Sequence, residues 1–175
     1  MTLFDHTNGM YKTDGMTGIT AGEMTMGWQD FYRRRDELNA VVEQGELRTS
    51  DVFPDEGALL LALHHRWAQR LSARVEQAEL SDGDQVDAVG EAWRRTAADN
   101  TALRALLDAY ADEPALRPLI EAEHRMLARA AGLTEAGDSA DEEASIGVAF
   151  VALQRSAPSR RNPVERLLRR LVPSA

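Results

Sequence analysis

The chain contains no cysteine and a single lysine, Lys12. Without cysteine there are no disulfides, no thiolate nucleophile and no Cys-type zinc site, a composition that suits a reducing compartment. The other nineteen basic residues are all arginine, a bias that GC-rich codon usage explains. Long apolar runs are missing too. No stretch approaches the ~20 residues a membrane span needs, and the opening MTLFDHTNGMYK has no basic segment leading into an apolar core, so it does not read as a secretory signal. Several catalytic signatures are also absent: the G-x-S-x-G elbow, the Walker-type G-x-x-x-x-G-K-[ST] loop and G-x-G-x-x-G. No serine has a nearby base to activate it. These absences predict a soluble cytoplasmic protein that is not an enzyme and carries no cofactor.

Charge is present and unevenly placed. The net charge is −9. From Arg155 onward there are six Arg and one Glu, so the tail is +5 and residues 1–154 carry −14. A body this acidic does not suit nucleic-acid binding, which rests on clustered Lys/Arg neutralising phosphates; no specific nucleic acid is expected as a partner. Residues 163–175 read PVERLLRRLVPSA. Val164, Leu167, Leu168, Leu171 and Val172 follow the i, i+3, i+4, i+7, i+8 spacing of one helix face, with Arg166, Arg169 and Arg170 opposite. Residues 158–175 are therefore read as a basic amphipathic interaction helix. Its apolar stripe needs a cover: the body or a second subunit first, an anionic membrane surface second.

The N-terminal residues 1–23 hold four of the twelve Gly, and five of the six Met occur by Met26. TNGM (7–10) and TDGM (13–16) repeat imperfectly around turn-forming Asn-Gly and Asp-Gly. This segment reads as a flexible Gly/Met-rich arm. Its apolar residues Leu3, Phe4, Met10, Tyr11, Met16 and Ile19 suit docking on a partner.

Residues 24–157 read as one all-α bundle, and the whole chain as six or seven helices. Trp28, Phe31, Leu38, Val41 and Val42 mark one face of a first helix that stops at Gly45; Arg33 to Arg35 lie mid-helix and should be solvated. Phe53-Pro54-Asp55-Glu56 opens a second helix, with acids at its N-terminus and Phe53 able to staple back. Leu59 to Leu63 is apolar nearly all round, so deep burial is expected there. That face continues through His64, Trp67, Leu71 and Val75. Ser81-Asp82-Gly83-Asp84 should form a loop that caps a third helix carrying Val86, Val89, Trp93 and Ala97, with Gly90 at a close contact or weak point. Asp99-Asn100-Thr101 should cap a fourth, with Leu103, Leu106, Leu107 and Tyr110. Pro114 suits the first position of a fifth, with Pro118 still within its first turn and Gly132 at its end. Thr134 to Asp141 is a loop, and Ile146 to Leu153 a buried sixth helix. No segment alternates with period two.

Four histidines are present, His6, His64, His65 and His124. Glu121 and His124 have the E-x-x-H spacing of carboxylate-bridged di-metal bundles, which need that motif twice; it occurs once here. A single site from His64, Glu121 and His124 is geometrically open, but no metal is expected. His64, Trp67, Trp93, Tyr110, His124 and Met126 form the candidate lining of an interhelical pocket for a small hydrophobic ligand. Core packing accounts for the same residues.

Residues 53–60, Phe-Pro-Asp-Glu-Gly-Ala-Leu-Leu, resemble the start of the fourth helix of TetR-type transcriptional regulators, and Asp99 to Leu133 resembles that family's C-terminal helices. The likeness spans residues 53–155. It implies a helical body that is often dimeric and sometimes binds a ligand. Such regulators carry three helices with a helix-turn-helix ahead of that Phe; residues 24–51 supply one helix and a linker, so DNA binding does not carry over. The expectation is a non-enzymatic helical protein that works by binding a protein partner, as a homodimer. A ligand-sensing regulator of the TetR type is the second reading, and a metal-dependent helical enzyme the third.

Overall fold

The structure is a computed structural model that describes residues 21–156; residues 1–20 of the N-terminal arm, and residues 157–175 with Val164, Arg166, Leu167, Leu168, Arg169, Arg170, Leu171 and Val172, lie outside the described residues. Within these bounds the fold is all-helical, with no strand. Six helices follow in order: α1 Ala21–Gln44, α2 Glu56–Glu79, α3 Gln85–Asp99, α4 Thr101–Ala109, α5 Arg117–Ala130 and α6 Ala140–Ser156. No described helix is long and apolar enough to cross a membrane.

Local chemistry sets most of these boundaries. Gly45 takes φ 71° and ends α1 with its N–H on the Val41 carbonyl at 2.9 Å, a left-handed position that glycine occupies without penalty. Asp55 caps α2, its carboxylate accepting from the Ala58 N–H at 2.7 Å, and Phe53 is buried beneath that turn. Asp84 caps α3 through the Asp87 N–H at 3.0 Å. Ser139 and Glu142 form a reciprocal capping box at the start of α6: the Ser139 N–H donates to Glu142 at 2.8 Å and the Glu142 N–H to the Ser139 hydroxyl at 3.3 Å. At the end of α5, Gly132 (φ 67°) lets the Leu133 N–H reach back to the Ala128 carbonyl at 3.0 Å, which satisfies a carbonyl the helix leaves free.

Four local expectations are corrected. The sixth helix is not buried throughout: Phe150 and Val151 are, but Val148 is 52% and Leu153 65% exposed, because α5 and the core lie on one side of it only. The fifth helix does not begin at Pro114: that residue sits in a turn, closed by the Leu116 N–H on the Glu113 carbonyl, and α5 starts at Arg117 with Pro118 in its first turn. Leu59, Leu60 and Leu63 are fully buried, but Leu61 is 41% exposed, because it faces an open cleft against α5. Trp28 and Phe31 do not join the core face of α1. They are 60% and 56% exposed, and Tyr32 47%. Residues 27–36 are all exposed, and only the C-terminal end of α1 docks, through Val41 with Leu38 and Val42.

α2 forms the centre of the core, burying Leu59, Leu60, Leu63, His64, Trp67, Leu71 and Val75. Trp67 meets Trp93 of α3 edge-on, with ring centroids 6.5 Å apart. α5 and α6 pack so closely that a Cβ on Gly147 would fall 2.1 Å from the His124 carbonyl oxygen; only glycine fits there. Gly90 of α3 likewise lies against α6, where an added Cβ would meet the Gln154 side chain at 2.6 Å.

Candidate functional site

One carboxylate organises the interior. Leu116, Ile120, Glu123 and Leu127 follow one another along a single stripe of α5. Leu116 and Leu127 are fully buried, and Glu123 is 8% exposed between them. A charge so placed needs partners. The Trp67 indole N–H donates to Glu123 Oε2 at 2.9 Å. His64 Nε2 lies 3.3 Å from the same oxygen, off the line of a hydrogen bond, and this nitrogen has no other partner. Arg104 Nη1 is 4.0 Å from Oε1, an electrostatic contact beyond hydrogen-bond range. Burial pushes the Glu123 carboxyl up, but His64, Arg104 and the Trp67 N–H outweigh it and hold the group below its ordinary value. It is therefore ionised at neutral pH.

Arg104 is held in turn. Its guanidinium lies 4.8 Å from the centre of the Trp67 ring and donates to Asp108 at 2.7 Å. The same Asp108 oxygen accepts from Arg155 of α6, also at 2.7 Å. The network thus runs from α2 through α5 and α4 to α6.

Glu123 lines two cavities. The first, about 460 Å³, opens between α2 and α5 and is bounded by Leu61, His64, His65, Ala68, Leu71, Ser72, Leu119, Ala122, Glu123 and Met126. Its walls are mainly apolar. The second, about 240 Å³, lies among α4, α5 and α6 and is bounded by Arg104, Asp108, Ala111, Ile120, Glu123, His124, Val148, Val151, Ala152 and Arg155. Here Arg104, Asp108, Glu123, His124 and Arg155 alternate with apolar side chains. His124 is pulled below its ordinary value by burial, against Glu123, with Arg155 and Arg104 reinforcing the shift.

The six pocket candidates are distributed, not gathered. His64 and Met126 line the first cavity and His124 the second. Trp67 and Trp93 are core residues, and Tyr110 packs at the core margin. His64, Glu121 and His124 do not converge. Glu121 is exposed, and the two histidines face different cavities, because residues 121 and 124 of α5 point away from the stripe that meets α2. Among the described residues no three His, Asp or Glu side chains are grouped to hold a metal ion. The carboxylate that does meet His64 is Glu123. A lone acid in the Leu116–Ile120–Leu127 stripe is the signal in the sequence that marks it, two residues from the Glu of the E-x-x-H pair.

Comparison with protein-family models, with curated proteins and with solved structures gave no match for this chain.

Proposed function

We propose that this chain is a non-enzymatic helical binding protein that acts through protein–protein contact, first of all as a homodimer. One observation carries the reading. α6 exposes apolar side chains away from the core: Gly147, Phe150 and Val151 face inward beside Glu143 and Gln154, while Ser145, Val148, Ala149, Ala152, Leu153 and Ser156 are exposed, bordered by Asp141, Glu142 and Arg155, with Val148 and Ala152 also bounding the second cavity. Val148 is 52% exposed and Leu153 65%. An exposed apolar strip of this kind marks an interaction site. The face is also symmetric about the midpoint between Phe150 and Val151, with Val148 balancing Leu153, Ala149 balancing Ala152 and Ser145 balancing Ser156. A second copy running antiparallel would bring like-sized groups level. This is the self-complementarity an isologous two-fold contact needs.

Light scattering on the full chain tests the proposal. The expected mass is twice the 19.3 kDa of the chain, falling to the single-chain mass when Val148 and Leu153 are both replaced by Glu. A wild-type protein that stays monomeric at tens of micromolar would overturn it.

The α2–α5 cleft supports a second reading, a sensor of small ligands, in line with the TetR-type likeness of residues 53–155. Its volume lies within the usual range for ligand sites, and a few polar groups punctuate an apolar wall. A thermal-shift screen with small amphiphilic compounds tests this; no stabilisation by any of them would remove it.

A further inference from the structure

Resting on the ligand-binding reading, we infer that the α2–α5 cleft selects an organic ammonium ion carrying an apolar body. The charge of its lining supports this. Among the residues bounding the cleft there is no Arg or Lys, and Glu123 is the one acid; Arg104, its nearest cation, lies on the side of the second cavity. The carboxylate is also under-used as an acceptor. Trp67 donates to Oε2, while Oε1 has Arg104 only at 4.0 Å, too far for a hydrogen bond. An ionised carboxylate offers about four lone-pair sites, so Glu123, which bounds the cleft, keeps acceptor capacity beyond the Trp67 bond.

The rest of the lining suits such a guest. Leu61, Ala68, Leu71, Leu119 and Met126 would enclose an alkyl or aryl body, with the flexible Met126 adapting to its shape. The −14 on residues 1–154 favours approach of cations over anions. A carboxylate ligand would meet Glu123 as a like charge, and an alcohol would gain only a neutral hydrogen bond where an ammonium gains a charge-assisted one.

Isothermal calorimetry on the full chain with octylammonium, octanol and octanoate tests the selection. Octylammonium should bind at least about tenfold more tightly than octanol, as a charge-assisted hydrogen bond requires, and octanoate should not bind. Glu123→Gln should abolish the preference. Because that substitution also disturbs the buried network, Ala68→Phe, which fills the cleft and leaves Glu123 in place, should abolish binding of every probe while the helical circular dichroism is retained. If octanol or octanoate binds as well as octylammonium and Ala68→Phe removes them, the ammonium assignment falls and the ligand-binding reading stands. If no probe binds the wild-type chain, both fall.

Discussion

α1 and α2 are both 24 residues long, yet they hold very different places in the molecule. α2 buries seven side chains and supplies the middle of the core. α1 buries one described side chain, Val41, near its end, and carries Trp28, Phe31 and Tyr32 away from the body, touching mainly one another, with Phe31 and Tyr32 ring centroids 5.7 Å apart. Helical form alone therefore does not decide placement. A helix is drawn in where its apolar stripe meets other stripes, and the stripe of α1 outruns the elements it could meet.

The largest expected effect falls on α2. Trp67→Ala removes a ring that packs on Trp93, underlies Arg104 and donates to Glu123, and should cost about 3–5 kcal/mol in urea denaturation. Next, Glu123→Gln should cost about 2 kcal/mol at neutral pH, the scale of a buried hydrogen bond to a charged group. Its pH signature is more diagnostic. The folded-state value of Glu123 lies below its ordinary one, so the stability it contributes is full above the ordinary carboxylate range and is lost as pH falls through the lowered value. Acid denaturation of the Gln variant should therefore have a shallower limb than that of the wild type. Asp55→Ala removes the α2 N-cap and should cost about 1 kcal/mol. Trp28→Ala should change stability by no more than about 0.5 kcal/mol. If it costs as much as Trp67→Ala, the aromatic ridge of α1 is buried in an assembly and the contrast between the two helices disappears.

The helices were legible because their signals are local. Asp55, Asp84 and Gly132 fix helix ends through bonds that span four to six residues, and the periodicity of α2 points to its buried face directly. Trp28 and Phe31 were misplaced because periodicity shows that a helix has an apolar side, not whether another element lies opposite it. For the site, His64 was visible as a polar residue within the apolar face of α2. Glu123 was hidden by its neighbours Glu121 and His124, whose spacing suggests metal chemistry, although Glu123 shares the stripe of Leu116 and Leu127. The role of Arg104 was not readable at all. It depends on Trp67 and Asp108 arriving from opposite directions, and nothing in the order of residues along α4 records that.

Gly147 has a consequence for ancestry. The His124 carbonyl occupies the space where a side chain would begin, so the distance between α5 and α6 is set by a missing atom. A descendant chain that kept this crossing would have to inherit glycine at that place. One that replaced it, even by alanine, would have to move α6 outward and widen the cavity beside His124. When distant sequences are compared with this one, that single position is the marker of whether they share its architecture or only its helices.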